Sequence, residues 1–516
     1  MAFLLVSFWV DILMVLFLLV CVLYGWFQKK FRYWSNKGVY GPAPAFPLGN
    51  LTGMVRGKHI GNLFADLYSK NKKQPYMGIY MFHRNAMVIN DLDMIKNITV
   101  KDFNHFTDHG LAFNVDHEPL AAHLFNVNGA KWRRIRHKLS PAFTSSKMKY
   151  MYETIAACGE EMTDFLQTAA KAGEIVDMKD VVSKFSIDVI SSCAFGIDSN
   201  SFKCPDTLMR KIGQSVFDVS LKQAVLMFLP LFAPQLLQYV DLKMLDKNIT
   251  KFFTEAVEKT VNFRKENNVK RNDLMQLMIR LMNNQSIEDH NMHDDTKHPE
   301  DGSEDPLTIS EVAAQAFGFL LGGFETSSTL TGFALHELAK RKDLQKLVRL
   351  EIEDVLEKHD GKLTYEALKD LHYMTQVIEE TLRLYPSLPI LLRKCTEEYR
   401  IPGTDVVIEK ETPVIIPLLG IHKDPEIYPD PEKFDPSRFE QGAKQSRHSS
   451  SFLPFGDGPR FCIGQRFAAM QIRVALVSIL RNYEVTTAED KPVELNNKVF
   501  FISPKAGIRM KIQLKT

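Results

Sequence analysis

The sequence predicts a mainly helical α+β body that follows one membrane-spanning helix at the N terminus. Apolar residues recur at helical spacing through about three hundred residues of the chain, which indicates a mostly helical body. Short runs of alternating apolar residues, near position 80 and in the last third, indicate small β-sheets. An apolar run at residues 2–27 is long enough to cross a bilayer, for which about 20 apolar helical residues suffice.

The composition indicates a globular chain and excludes a mostly disordered one. The 516 residues are 45% hydrophobic and 24% charged, so a sizeable core can be buried. Lys and Arg total 64 against 62 for Asp and Glu, and the net charge of +2 gives no bulk attraction to nucleic acid. The six cysteines form no CxxC pair, which argues against a zinc ribbon or a disulfide framework and favours a reducing compartment.

The apolar N-terminal segment is predicted to be an uncleaved anchor. Within residues 2–27 the only clearly polar side chains are Ser7 and Asp11, and a cleaved signal peptide would need a basic start and a small-residue cleavage site. Six basic residues and no acid follow within residues 28–65, so the positive-inside rule places the body on the cytoplasmic side. We therefore expect an anchor at 2–27, a basic and proline-rich elbow at 28–50 and a cytoplasmic body at 51–516.

Local patterns predict the elements of the body. A hairpin is expected at Tyr76–Asn90, with Arg84 and Asn85 as its turn. Helices are expected near 129–144, 146–172, 178–195, 247–268 and 273–283. Strands are expected around 388–393, 406–417, 483–487 and 499–513. Residues 288–305 contain eight acids and three histidines, which favours a solvated loop over a metal site.

A long helix is predicted to begin after Thr308, because Thr308 and Glu311 form a capping-box pattern. It can continue to about Arg341 without meeting a proline. The glycine pair Gly322-Gly323 lies near its middle. Each mid-helix glycine costs about 1 kcal/mol relative to alanine, so the pair indicates that another group approaches the helix closely there.

The strongest local signal is the glycine-rich loop Phe455–Gly464, which delivers Cys462 to the start of an apolar helix near Gln465. Glycines permit tight turns of the backbone close to a bulky planar partner. Backbone N–H groups and the helix dipole are expected to lower the pKa of the thiol, and a thiolate held in this way is a good axial ligand. The alternative is a buried cysteine in an ordinary turn.

The loop resembles the haem-binding signature of the cytochrome P-450 family, Phe-x-x-Gly-x-Arg-x-Cys-x-Gly. Glu380-Thr-Leu-Arg383 is similar to the family's Glu-x-x-Arg motif, whose third partner would be Arg438. Ser437 stands before this arginine where the family has an acid. The resemblance implies that Glu380, Arg383 and Arg438 brace the loop and that Cys462 is the metal ligand.

The glycine pair of the long helix resembles the family's oxygen-binding segment. The resemblance implies that Gly323 lies on the haem face opposite Cys462. It also implies that Thr326 and Glu325 are the catalytic pair, which holds a water and delivers protons to bound oxygen.

The resemblance implies further contacts to haem and substrate. Trp132 and Arg136 would bind one haem propionate and Arg460 the other, while His109 would be either a weak propionate contact or a solvated loop residue. The implied cofactor-binding residues are Trp132, Arg136, Arg460, Phe455, Gly323, Gly456 and Gly464. The implied substrate pocket consists of Leu111, Phe113, Phe125, Phe317, Leu320, Leu388 and Phe501, with His123 beside them. The segment Met227–Phe232 would be a roof or a membrane-dipping surface.

The family resemblance implies a microsomal monooxygenase in the branch of animal drug-metabolising and insect xenobiotic-metabolising enzymes. The implied cofactors are haem b and O2, with NADPH acting through a membrane-bound cytochrome P-450 reductase that docks near Arg133, Arg134 and Lys138, and with cytochrome b5 as a second candidate donor. The implied partners are a hydrophobic small molecule and membrane lipid of the endoplasmic reticulum, and no nucleic acid. The alternatives are a peroxide-using isomerase or dehydratase and a non-catalytic haem-binding membrane protein, and the intact Glu325 and Thr326 argue against both.

Overall fold

The structure is a computed structural model that describes residues 2–111, 113–115, 117–204, 206–217, 221–232, 245–283, 305–489 and 491–515. The three histidines of the acidic stretch lie outside these residues. The helices are α1 (Ala2–Lys30), α2 (Tyr33–Asn36), α3 (Thr52–Val55), α4 (Ile60–Asn71), α5 (Leu92–Lys96), α6 (Gly129–Leu139), α7 (Ser145–Ala172), α8 (Met178–Ile190), α9 (Leu208–Ser215), α10 (Leu221–Phe232), α11 (Lys247–Glu266), α12 (Leu274–Met282), α13 (Ile309–Leu320), α14 (Thr326–Lys340), α15 (Lys342–Lys358), α16 (Ala367–Asp370), α17 (His372–Leu384), α18 (Leu418–His422), α19 (Gln441–Gln445) and α20 (Gln465–Leu480). The mainly helical prediction is confirmed.

Small sheets lie beside this helical body. The strands are β1 (Tyr76–Met81), β2 (Arg84–Ile89), β3 (Ile175–Asp177), β4 (Leu391–Lys394), β5 (Tyr399–Arg400), β6 (Val407–Ile408), β7 (Pro413–Ile416), β8 (Tyr483–Thr487) and β9 (Arg509–Leu514). One sheet has the order β1-β2-β7-β4, the second β3-β9-β8, and β5 pairs with β6. The β2-β7 pair is parallel, with Val88 opposite Ile415, and joins the N-terminal hairpin to the last third of the chain.

The predicted hairpin is present, and its turn lies two residues earlier than expected. Met81 pairs with Arg84, so the turn consists of Phe82 and His83. Phe82 has a φ of 54°, a left-handed value that is uncommon for a bulky side chain. Its ring lies 5.9 Å from that of Phe232, and this contact fixes the turn against α10.

The main core forms around α14, which contacts α8, α17, α20 and β8. Every residue of α14 from Ser327 to Ala339 is buried. The ring of Phe333 stacks on Tyr385 of α17 with centroids 4.1 Å apart. Because neighbouring elements cover α14 on all sides, small and hydroxyl side chains can lie on any of its faces, provided that each hydroxyl finds a backbone partner.

The long helix is interrupted at its glycine pair. The predicted capping box is confirmed, since Thr308 Oγ1 accepts from the backbone of Glu311 and Glu311 returns a bond to Thr308. A π-helical turn occupies Leu321–Glu325, between α13 and α14. The chain stays helical from Ile309 to Lys340, as predicted, and only the α-helical hydrogen-bond pattern changes at this turn. Turns of this kind occur frequently at functional sites.

The anchor helix extends farther than its apolar run. The structure continues α1 to Lys30, and this helix is long and apolar enough to cross a membrane. Its last turns contact the body, because the Trp26 ring lies 5.6 Å from His83 and Phe27 lies 5.2 Å from Phe46. Phe27 also packs against the smaller core cluster that contains Tyr80. Trp26 and Phe27 thus connect the end of α1 to the body.

We expect removal of residues 2–22 to leave the stability of the body unchanged, with Tm within about 2 °C of the full chain in the same detergent. Removal of residues 2–27 also deletes the Trp26 and Phe27 contacts and should lower Tm by a few degrees, since a partly buried aromatic ring contributes about 1 kcal/mol. Thermal unfolding of the three proteins measures this difference. Equal Tm values for both truncations would show that the two rings contribute nothing.

The structure corrects the surface predicted for Met227–Phe232. Phe228, Leu231 and Phe232 are each at most 9% exposed. They pack with residues of the first sheet, and Arg84 Nη1 donates to the carbonyl of Leu231 at 2.7 Å. These three side chains pack inside the body, which contradicts the membrane-dipping alternative for them.

Candidate functional site

Tight backbone turns build the cysteine loop. The amide of Cys462 donates to the carbonyl of Phe455 at 2.9 Å, which closes the loop ahead of α20. Gly456 and Gly458 have φ values of 75° and 70°. A Cβ on Gly458 would lie 1.8 Å from the carbonyl oxygen of Thr99, so only glycine fits there. The loop is thereby fixed to the neighbouring helical turn, and Cys462 remains exposed.

The expected depression of the Cys462 thiol pKa is wrong for the chain alone. Burial within the surrounding protein raises the pKa, although the backbone amide of Gly464 and the positive charge of Arg136 act in the opposite direction. Although part of the thiol is accessible, the protein atoms around it replace bulk water. Desolvation therefore raises the pKa by more than the amide and the arginine lower it. A bound metal cation would supply the charge that makes the thiolate stable.

Three glycines near the site, Gly322, Gly323 and Gly464, have different surroundings. A Cβ on Gly323 would lie 2.4 Å from Ile190 Cδ1, so Gly323 permits close packing against α8. A Cβ on Gly322 meets nothing within 4 Å, and Gly322 is the member of the pair on the open side. Gly464 also borders open space, but its φ of −89° requires no glycine.

The bracing triad is present with one weak member. Glu380 and Arg383 are fully buried, and Arg383 Nε and Nη2 donate to the two carboxylate oxygens at 2.7 and 2.8 Å. Arg438 Nε lies 3.6 Å from Glu380, which makes it an ionic neighbour without a hydrogen bond to the carboxylate. The backbone amide of Asp435 donates to Glu380 at 2.8 Å and supplies the missing contact.

His422 joins the triad to the cysteine loop. Arg383 Nη1 donates to the His422 carbonyl at 2.9 Å, and His422 Nε2 accepts from the amide of Leu453, which leads into the loop. Burial, with Arg383 as second cause, lowers the pKa of His422 to about 3, so the ring is neutral. Sequence reasoning missed this residue, and its only signal was a histidine among apolar neighbours.

A cluster of cations lies beside the cysteine loop. Arg460 and Arg393 are buried, and Asp108 Oδ1 lies 3.7 Å from Arg460 Nη2. Burial and these two arginines lower the pKa of the adjacent His109 well below its usual value, so its ring is neutral. Burial, together with the neighbouring Arg393 and Arg136, lowers the pKa of Arg460 to about 9, although Asp108 acts in the opposite direction. Burial likewise lowers the pKa of Arg393 to about 10. Such a set of like charges favours binding of an anion.

The residues at this cluster fit the two propionates of a haem. His109 Nε2 and Arg393 Nε are buried polar atoms without a partner among the described residues. The Arg136 guanidinium forms no hydrogen bond with the described part of the chain. Arg460 lies over the Trp132 ring at 4.1 Å and donates to the carbonyls of Thr107 and Val127, so its position is fixed before any ligand binds. Arg393 was missed by sequence reasoning, and its only signal was a charged residue directly after the apolar run Ile390-Leu391-Leu392.

Thr326 and Glu325 point to different surroundings. Thr326 shares the open face with Gly322 and donates to its carbonyl. Both oxygens of Glu325 are occupied: Lys179 Nζ donates to one at 2.9 Å and Thr329 Oγ1 to the other at 3.1 Å. Glu325 therefore faces α8 in this conformation, and only Thr326 of the predicted pair faces the open side.

The predicted pocket residues divide into two groups. Leu111, Phe113, Leu388 and Phe501 are half-buried, and Phe125 is 41% exposed with its ring 4.4 Å from that of His109. Phe317 and Leu320 are wrong as pocket walls, because they are 2% and 0% exposed in the main core. The Phe317 ring of α13 lies 5.3 Å from the Phe253 ring of α11, and this contact holds the two helices together.

Comparisons with known proteins agree with this geometry. The family model described as Cytochrome P450 matches residues 40–512. Probable cytochrome P450 6a14 of Drosophila melanogaster is 40% identical over 94% of this chain and 96% of its own length. Probable cytochrome P450 6a13 of the same species is 37% identical over 98% and 99%, and cytochrome P450 6k1 of Blattella germanica is 37% identical over 96% of each chain. The matched span includes the cysteine loop, the buried triad and the glycine-interrupted helix, and the chain belongs to the cytochrome P450 family, which implies a haem-thiolate monooxygenase.

Proposed function

We propose that this chain oxidises hydrophobic small molecules, xenobiotics among them, with electrons that NADPH supplies through a membrane-bound reductase. The observation that carries the proposal is that Cys462 lies beside a cluster of arginines: the charge of Arg136 acts on its thiol, and Arg136 and Arg393 act on Arg460. When bound, haem supplies the redox centre that activates dioxygen, so that one oxygen atom enters the substrate and the other leaves as water after two electrons and two protons are taken up.

Residues of the chain would hold the cofactor in place. Cys462 would bind the iron, and Arg460, Arg393 and Arg136 would orient and neutralise the propionates, with the neutral His109 ring as a hydrogen-bond partner. Arg460 and Arg393 are already held by hydrogen bonds to backbone carbonyls, so little ordering of these two side chains accompanies cofactor binding.

The Thr326 hydroxyl holds a water on the open face and passes a proton toward the reaction centre. The paired Glu325 carboxylate would reach that water only by leaving Lys179. We therefore assign the direct role to Thr326 and a supporting role to Glu325.

The membrane and partner contacts follow from the charges of the chain. We propose that α1 anchors the protein in the endoplasmic reticulum membrane with the body on the cytoplasmic side. Arg133 is exposed on α6 and is a candidate contact for an acidic reductase surface, together with Lys138. Arg134 forms an ion pair with Glu311, so it contributes less to such a surface than the sequence indicated.

Reconstitution of the full chain with haem, lipid vesicles and an NADPH-dependent cytochrome P450 reductase tests the proposal. Hydrophobic compounds that shift the haem spin state should yield products one oxygen atom heavier, and omission of the reductase should stop product formation. Turnover of organic peroxides without reductase, in the absence of NADPH-driven products, would instead favour the isomerase or dehydratase alternative.

Thr326→Ala is expected to uncouple NADPH consumption from product formation. Alanine preserves helix propensity, but the hydroxyl that positions the water is lost, so product per NADPH should fall about tenfold while hydrogen peroxide rises. Thr331→Ala is the matched control, because Thr331 also donates to a carbonyl four residues earlier and is buried away from the open face. Unchanged coupling in Thr326→Ala would remove this residue from the proton path.

A further inference from the structure

A buried glutamine of α13 holds the loop that carries two of the candidate substrate contacts. Gln315 is 1% exposed and lies between Ala314 and Ala316, both fully buried. Burial of a primary amide is unfavourable unless its hydrogen bonds are satisfied. A polar side chain at this place therefore points to a specific partner.

Both groups of the Gln315 amide bind the same short segment. Gln315 Nε2 donates to the carbonyl of Ala122 at 3.1 Å, and the amide of Leu124 donates to Gln315 Oε1 at 2.9 Å. The two backbone groups flank His123, so one side chain fixes the segment on both sides of that residue. The helix also makes room for the segment, since a Cβ on Gly318 would lie 2.7 Å from His123 Cβ.

Arg460, a member of the cation cluster, holds the opposite side of this segment. Arg460 Nη1 donates to the Leu124 carbonyl at 3.3 Å and Nη2 to the Val127 carbonyl at 3.0 Å. Phe125, between these carbonyls, projects its 41% exposed ring against His109. The segment 122–127 is thus fixed between α13, which leads into the glycine-interrupted turn, and the loop that carries Cys462.

We propose that Gln315 is a positioning residue that sets where Phe125 and His123 stand relative to the haem and so determines which substrates fit. The inference rests on the proposed function and deepens it, since it concerns the substrate side of the same site. Without Gln315 the two backbone groups of the segment are buried and unpaired, and the segment must move to satisfy them.

The test uses Gln315→Met, which keeps length and volume but removes both hydrogen bonds. The probes are imidazole and 4-phenylimidazole, whose ring nitrogen binds ferric haem and which differ by a phenyl group that must fit beside the loop. We expect the Kd of 4-phenylimidazole, read from the spectral shift of the haem, to rise about tenfold, and that of imidazole to change less than about twofold. Neither titration needs reductase or NADPH, so failure of the proposed electron supply leaves this readout intact.

Gln345→Met is the matched control. Gln345 is also fully buried, and its amide binds the carbonyl and the amide of Val485 at 2.9 and 3.0 Å, far along the chain from the loop. This variant should lose thermal stability to a similar extent but keep the ratio of the two Kd values.

Unchanged Kd values in Gln315→Met, or equal changes in Gln345→Met, would overturn the proposal and leave Gln315 a structural residue. If Gln315→Met does not retain haem, the same two titrations of Gln315→Asn test the proposal. This variant keeps the amide but is one methylene too short to reach both backbone groups, so the proposal expects the same selective loss of 4-phenylimidazole binding. An unchanged Kd ratio in Gln315→Asn would refute it.

Discussion

Glu380→Gln is expected to produce a chain that folds poorly and retains little haem. The substitution leaves the fully buried Arg383 without its countercharge, and removal of one member of a buried ion pair costs about 3–5 kcal/mol. Arg383 also donates to the His422 carbonyl, and His422 accepts from Leu453 at the start of the cysteine loop. Displacement of Arg383 should therefore also displace the loop that carries Cys462. Haem content per chain and Tm measure the effect.

The neighbouring residue supplies a control for this prediction. Glu379 pairs with the half-exposed Lys444, and its side chain is 19% exposed. Glu379→Gln removes the same charge at the next position, and such a pair contributes at most about 1 kcal/mol. A Glu380→Gln protein with the haem content of Glu379→Gln would show that the buried triad does not brace the loop.

Cys462→Ser is expected to abolish catalysis while the fold persists. A serine hydroxyl stays protonated and donates little charge to iron, whereas a metal-bound cysteine is deprotonated. The surrounding loop is set by Gly456, Gly458 and the Phe455 carbonyl, none of which the substitution alters. Product formation should vanish and Tm of the haem-free chain should change little.

Cys204→Ser is the control for the loss of a thiol, because Cys204 is exposed and lies outside the site. Its turnover and spectra should match those of the unaltered protein. Product formation by Cys462→Ser at a rate near that of Cys204→Ser would show that another residue is the metal ligand.

Sequence patterns predicted the parts of the site that depend on local geometry. The cysteine loop, the capping box at Thr308 and the Glu380–Arg383 pair involve residues within a few positions of each other, so their spacing carries the information. The hairpin and the helices α6, α7, α8, α11 and α12 were predicted within a few residues for the same reason.

Contacts between distant segments could not be predicted in this way. Lys179 meets Glu325 across 146 positions, and Gln315 meets Leu124 across 191. Which side of a mid-helix glycine faces a neighbour also depends on packing, and this is why Gly323 was assigned to the cofactor while it contacts Ile190. The thiol pKa was misjudged because burial depends on the whole fold.

The ferrous carbon monoxide spectrum of the haem-loaded full chain tests the central claim most directly, because the position of its main band reports the ligand opposite carbon monoxide. We expect the strongly red-shifted band that a thiolate ligand produces, and we expect this band to be absent in Cys462→Ser. A band at the position typical of an imidazole ligand in the unaltered protein, or a red-shifted band that survives in Cys462→Ser, would contradict the assignment of Cys462 as the iron ligand.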